Sequence, residues 1–271
     1  MSDRVCMVLG GKGFVGSAIV REAESRGYKV LNTGRDEYDE CKGKRCDLLI
    51  NANGNSRKYL AKENPLLDFE MSVESVIRSC IDFKPRQYVY LSSSDVYPCV
   101  SDPDRNKEDT VINTAKISTY GLHKFMAEQA VCHYHPHALI LRMGGLIGPG
   151  LWKNPIFDLW SQKPLRVHPD SAYSYISTAD LARALFTLLD IPRESFHIFN
   201  VAGKGRVSLR KIASMIPHAK LPDKSELNQE QYEISTEKLS TYWPVPCSLD
   251  SVEEFIKDAL AGRVHFADKP T

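Results

Sequence analysis

The stretch Arg4-Val5-Cys6-Met7-Val8-Leu9-Gly10-Gly11-Lys12-Gly13-Phe14-Val15-Gly16 decides the fold of this chain. A short apolar run, Val5 to Leu9, meets glycines at 10, 13 and 16. Val15, Ala18, Ile19 and Ala23 then line one face of a helix that Gly27 ends. This is how a strand turns tightly into a helix whose free N–H groups suit a pyrophosphate. With 16 glycines in 271 residues, three at this spacing arise by chance about 0.05 times. The spacing is G-x-x-G-x-x-G rather than G-x-G-x-x-G. Gly10, Lys12, Gly13, Phe14, Val15 and Gly16 are therefore the expected dinucleotide-binding residues; the plainer alternative is a strand–helix turn with no ligand.

Working outward, apolar strands alternate with helical patterns. Strands are expected at Lys29–Thr33, from Asp47 to Ala52, from Gln87 to Ser92 and from Ala138 to Arg142; helices at about 66–83 and 115–133. Pro65 suits a first helical turn and Pro85 follows a helix end. Such alternation predicts an α/β fold, a Rossmann-type doubly wound parallel sheet covered on both faces. Only about a dozen residues separate Arg35 from the strand at Asp47, too few for a full βα unit, so the third strand is expected to be reduced. Beyond Gly144-Gly145-Leu146-Ile147-Gly148-Pro149-Gly150 the rhythm loosens. Helices are expected at about 153–162, 178–190 and 250–261, with short strands near Leu165–Val167 and Phe196–Val201. The reading is a dinucleotide-binding domain over 1–150 and a smaller substrate lobe over 151–271, some of whose elements return to the sheet.

The formal net charge is +1, which points to neither nucleic acid nor an acidic membrane surface. No apolar run reaches the length of a membrane span, and the first strand leaves no room for a signal peptide. Cysteines 6, 41, 46, 80, 99, 132 and 247 form no C-x-x-C pair and read as reduced thiols of a cytoplasmic protein.

Tyr120-Gly121-Leu122-His123-Lys124 places Tyr and Lys at i and i+4, on one helix face. About one such spacing is expected by chance, and Tyr38 with Lys42 is a second, in a polar stretch with no helical stripe. The Tyr120 pair differs because it follows Ser92-Ser93-Ser94 at the carboxyl end of a sheet strand, the edge where open parallel sheets bind ligands. A phenol with its usual pKa near 10 is a poor acid or base at neutral pH. A neighbouring ammonium and an oxidised nicotinamide favour the phenolate. Tyr120 is thus expected to exchange a proton with a carbonyl or alcohol oxygen that a serine hydroxyl holds, with Lys124 beside it. Taken alone, the pair reads as a core Tyr and a solvated Lys.

Gly10-x-x-Gly13-x-x-Gly16, Leu91-Ser92-Ser93-Ser94-Asp95-Val96-Tyr97 and Tyr120-x-x-x-Lys124, in this order, resemble the extended short-chain dehydrogenase/reductases, and more narrowly their nucleotide-sugar epimerase/dehydratase/reductase branch. Asn51-Ala52-Asn53-Gly54 stands where that family has a cofactor-contacting turn; Arg142 to Pro149, Tyr175 to Ala182 and Phe199 to Gly203 resemble its later landmarks. The resemblance implies Ser93 as the catalytic serine, Ser94 being second choice, Tyr120 as acid/base and Lys124 as its partner. It implies cofactor contacts from Asn51, Ala52 and Asn53 as well as Tyr120 and Lys124. The family's 4,6-dehydratases carry Thr-Asp-Glu where this chain has Ser93-Ser94-Asp95, so dehydration is disfavoured. Ser72 stands where relatives often place asparagine.

The second strand ends Asn32-Thr33-Gly34-Arg35 with no acid before Asp36. An arginine there suits a 2′-phosphate, and Lys12 adds a second positive charge. NADP(H) is expected, with NAD(H) as the alternative if Asp36 takes the ribose. The expected activity is reduction of a keto group, on a sugar nucleotide by family resemblance. The alternatives are a nucleotide-sugar epimerase with tightly held NAD and a non-catalytic NADP(H)-binding sensor or assembly protein. Tyr173, Tyr175, Arg166, His168 and Arg206 are candidate substrate contacts; no metal site is expected from His133, His135 and His137. The family often dimerises through the helix at 115–133, so a homodimer is a possible assembly.

Overall fold

In the computed structural model, which describes residues 4–192, 195–222 and 226–267, the opening apolar run is a strand, β1 (Val5–Leu9), followed by the helix Phe14–Ser25. Cys6, Met7 and Val8 are wholly buried, as a parallel strand covered on both faces requires. After β1 come β2 (Lys29–Thr33), β3 (Leu48–Asn51), β4 (Gln87–Ser93) and β5 (Leu139–Met143). With His197–Val201 they form one six-stranded sheet in the order β2-β1-β3-β4-β5 and then His197–Val201. β1 runs parallel to both β2 and β3, as do β3 to β4 and β4 to β5. The strand order reverses between β1 and β3, so the carboxyl ends of these strands form the crevice that an open α/β sheet offers to ligands. This is the Rossmann-type sheet expected.

β2 is the sheet's edge, and among the described residues no third strand lies outside it. Between Thr33 and Leu48 the chain makes only the one-turn helix Tyr38–Cys41. Tyr38 and Lys42 there both spend their polar atoms on Asp82, at 3.1 and 2.8 Å, so the second Tyr-x-x-x-Lys spacing is a structural clamp. One face of the sheet packs Met7, Leu49, Tyr88, Tyr90 and Ile140 against Val76 and Cys80 of the Ser75–Asp82 helix and Ala127 and Val131 of the Thr119–Tyr134 helix. All seven cysteines are free. Burial pushes the Cys6 thiol up to about 12 and those of Cys46 and Cys80 up to about 11, which makes them unreactive.

Two expectations need correction. The helix expected over 66–83 is interrupted: Pro65–Phe69 and Ser75–Asp82 are α-helical, but Glu70–Glu74 widens into a π turn. Ser75 Oγ donates to the Met71 carbonyl at 2.6 Å and competes with the regular backbone bond. No strand forms at Leu165–Val167, because Pro164 and Pro169 flank it and lack the N–H that a ladder needs; the strand is Ala172–Tyr173.

By internal packing the chain divides into two units. The first is Met1–Pro98, Glu108–Met143 and Ala182–Asn200; the second is Cys99–Lys107, Gly144–Leu181 and Val201–Thr271. In the second, Ala172–Tyr173 lies between Val207–Ser208 and Gln231–Tyr232, and Gly145–Ile147 pairs with Tyr175–Ser177. Asn106 is fully buried there: it donates to the carbonyls of Asp102 and Glu233 and accepts from the Ser235 amide. No described helix is long and apolar enough to cross a membrane.

Candidate active site

The glycine turn explains its own sequence. Gly10 has φ +78, a left-handed conformation that a side chain resists. A Cβ on Gly16 would sit 2.2 Å from the Gly10 carbonyl oxygen, so the helix can start this close to the turn only with glycine. Gly13 caps the Phe14–Ser25 helix with no side-chain cap bond, and its first turn carries no acidic residue. That leaves backbone N–H donors and the positive end of the helix dipole facing the crevice, a cradle that fits a dinucleotide diphosphate.

The next strand of the sheet carries the edge onward. Gly10 packs against the Ala52 carbonyl, 3.1 Å from where its Cβ would lie. Asn51, at the end of β3, turns its side chain into the core: Nδ2 donates to Ser79 Oγ and to the Tyr88 hydroxyl, both at 3.0 Å, and Oδ1 accepts from the Asn53 amide at 3.0 Å. Its side chain is therefore spent on shaping the turn, and Ala52 and Asn53 are the half-buried residues left facing out. Gly54, at φ +120, ends this turn beside the Lys124 amine, which lies 3.4 Å from the position of a Gly54 Cβ. Glycine turn, Asn51–Gly54 turn and Lys124 are thus contiguous along one sheet edge.

Tyr120 and Lys124 lie on the Thr119–Tyr134 helix, which Ser118 caps by accepting the Gly121 amide at 3.1 Å. This helix packs closely on the turn after β4: a Cβ on Gly121 would meet the Asp95 carbonyl oxygen at 2.1 Å. The close approach sets the buried Tyr120 near Ser93, which acts on the phenol's electrostatics. Ser93 Oγ donates to Asp95 Oδ2 at 2.7 Å, and Asp95 Oδ1 takes Lys58 Nζ at 2.7 Å. Lys124 donates to the Leu91 carbonyl at 3.4 Å and lies over the Tyr90 ring. Ser94 is buried in the turn, and Ser92 points the other way.

Electrostatics here differ from the expected lowering of the Tyr120 pKa. Burial raises it above the phenol's ordinary value, and the Asp95 carboxylate raises it further; Lys58 and Ser93 oppose this only in part. Burial also lowers the Lys124 ammonium to about 8, against the carboxylates of Asp68, Glu128 and Asp95, which raise it. In the protein alone Tyr120 is a protonated phenol across neutral pH.

Behind the serines lies a buried charge network that the sequence reading missed. Glu128, wholly buried, accepts Ser92 Oγ at 2.5 Å and Arg142 Nη2 at 2.8 Å. Arg142 Nη1 donates to the Tyr97 hydroxyl at 2.9 Å, and Tyr97 donates to Asn200 Oδ1 at 2.8 Å. These bonds tie β4, β5, the Thr119–Tyr134 helix and the His197–Val201 strand together, and so fix the strand end that carries Ser93.

At the adenosine end the structure adds a residue. Arg35 is exposed, but Lys12 pairs with Glu37, whose Oε2 also accepts the Gly34 amide at 2.9 Å. Glu37 lies past the strand end where an acid was sought, and the Tyr38–Cys41 helix turns it back over Gly34. Lys12, expected to add a second positive charge, is instead paired with Glu37. Of the candidate substrate contacts, Tyr173 donates to Glu230 at 2.7 Å, Arg206 pairs with Glu233 at 3.5 Å, His168 with Asp170 at 3.5 Å, and the Tyr175 ring is buried.

A Rossmann-type sheet with a glycine turn and a Tyr-x-x-x-Lys helix at one edge is the build of the extended short-chain dehydrogenase/reductases. The chain belongs to the NAD dependent epimerase/dehydratase family, whose model matches residues 6–202. A dTDP-4-dehydro-6-deoxy-D-allose reductase from Streptomyces sp is 23% identical over 267 residues, covering 79% of this chain and 81% of that protein. Among solved structures, a UDP-galactose 4-epimerase superposes with a TM-score of 0.77 at 20% identity, covering 95% of this chain and 99% of that one. A dTDP-4-dehydrorhamnose reductase from Bacillus anthracis in complex with NADP gives 0.76 at 17% identity, with 95% and 99% covered.

Proposed function

We propose that the protein is an NADP(H)-dependent reductase that converts a keto group on a nucleotide-activated sugar to an alcohol. The observation that carries this reading is the placing of Ser93, Tyr120 and Lys124 on one sheet edge with the glycine turn. Backbone N–H groups of the Gly13–Gly16 segment would hold the diphosphate, Arg35 the 2′-phosphate, and Lys124 the nicotinamide ribose. Bound NADPH supplies the hydride. Tyr120, held as the phenol, gives its proton to the ketone oxygen, and Ser93 exchanges its Asp95 acceptor for that same oxygen. A protonated acid is the form reduction needs, and the Streptomyces sp relative named above is a reductase. The proposed setting is the cytoplasm, where free thiols stay reduced.

One observation favours a second reading, an epimerase that retains NAD: Glu37 is a carboxylate within reach of Gly34, suited to a ribose hydroxyl. Equilibrium titration with NADPH and NADH separates the two. Arg35→Glu is expected to weaken NADPH about tenfold or more and leave NADH nearly unchanged, since a charge-assisted contact to phosphate is lost. Glu37→Gln, which frees Lys12, is expected to tighten NADPH relative to NADH. Native protein that prefers NADH, with Arg35→Glu binding NADPH as well as native protein does, would favour the epimerase.

A further inference from the structure

Asp68 is a carboxylate with no exposed surface, and the trio of Ser93, Tyr120 and Lys124 makes no use of it. Its Oδ1 accepts Asn55 Nδ2 at 2.7 Å and Ser72 Oγ at 3.2 Å; its Oδ2 is 2.6 Å from His123 Nδ1. Asn55 is fixed in turn, since its Oδ1 accepts the Arg57 amide at 2.7 Å and its own amide donates to Ser72 Oγ at 3.3 Å. His123 precedes Lys124 on the Thr119–Tyr134 helix, and Ser72 lies in the π turn. Around Gly54 these parts converge: the position of its Cβ lies 3.4 Å from Lys124 Nζ, 3.8 Å from the Met71 carbonyl and 3.9 Å from Ser72 Oγ. Ser72, whose hydroxyl Asp68 accepts, and the amine of Lys124 thus both border Gly54.

A buried carboxylate is costly unless donors or a nearby positive charge compensate it, and Asp68 has three partners, His123 among them. Lys124 is buried as well, and among the described residues its one direct acceptor is a carbonyl at 3.4 Å. We propose that Asp68, held in place by His123, Asn55 and Ser72, is a positioning residue that keeps the amine of Lys124 charged inside the site. The proposal rests on the reductase reading for the role of Lys124, but its physical claim concerns this chain alone. The groups facing Lys124 are Asp68 from the Pro65–Phe69 helix, Asp95 and Tyr90 from β4 and its turn, and Glu128 and Tyr120 from its own helix. Glu128 lies against Arg142, Asp95 against Lys58 and Asp68 against His123, at 2.8, 2.7 and 2.6 Å. Of these carboxylates Asp68 acts most strongly on the amine, ahead of Glu128 and Asp95.

The test is the protonation of Lys124 followed across pH by the 13Cε resonance in lysine-labelled protein, assigned with Lys124→Arg. Asp68→Asn is expected to lower the midpoint by about one pH unit or more, because an opposite charge near the amine is removed. His123→Gln keeps the carboxylate and a donor to it, and is expected to leave the midpoint near that of native protein. A merely structural Asp68 would lower the melting temperature of Asp68→Asn without moving the midpoint, and that result overturns the proposal. An equal shift in His123→Gln overturns it too, since the imidazole and not the carboxylate would then set the charge. If Asp68→Asn does not fold, Asp68→Asn/His123→Leu keeps an acceptor for Asn55 and Ser72 without leaving an imidazole against an amide, and it carries the same expectation. The resonance is read without substrate, so a protein that turns over no ketone strikes the reductase reading and not this one.

Discussion

Tyr120→Phe is expected to lower turnover by about 10²–10⁴-fold while NADPH binding stays within about twofold of native. Tyr120 is buried, and burial with the Asp95 carboxylate holds its hydroxyl protonated. On the reductase reading, removing the oxygen takes away the proton given to the ketone oxygen. The ring itself stays, so the packing of the Thr119–Tyr134 helix on the Asp95 turn is kept. The check is paired: steady-state loss of NADPH absorbance with substrate, and NADPH titration without it. Turnover near the native value would show that the proton comes from elsewhere; function in the cell unchanged by the substitution would support the sensor.

Arg142→Met is expected to cost about 3–5 kcal/mol of stability, because it leaves Glu128 buried with its charge unpaired. For a chain of this size that is roughly 10 °C in melting temperature. The double variant Arg142→Met/Glu128→Leu removes both charges and is expected to recover much of the loss, since buried ion pairs are often replaceable by apolar residues as a pair. Thermal melts of the two proteins make the check. A double variant no more stable than the single one would mean that the network's worth lies in the hydrogen bonds from Ser92 and to Tyr97.

What was legible in the sequence was local. The glycine turn announces itself because Gly10 and Gly16 face each other across one tight bend, and the shortened link between β2 and β3 follows from counting residues. The Tyr120 helix was legible because its motif is short and its serine partner lies at a strand end. The residues missed depend on contacts distant in the chain, or on a turn no pattern fixes. Asp68 meets His123 55 positions away, and both look ordinary in sequence. Glu37 reaches back to Gly34 only because one turn of helix redirects the chain. The raised Tyr120 pKa of the protein alone was not legible, because a motif names the neighbours but not the depth at which burial acts.

The most direct test of the central claim is a single-turnover reaction of the purified protein with NADPH and nucleotide-linked 4-keto sugars, with cofactor and sugar both quantified. The account predicts one NADP formed per alcohol formed, with loss of the signal in Tyr120→Phe. A protein that arrives with NAD bound, never releases it, and inverts a sugar hydroxyl with no net change in cofactor would contradict it.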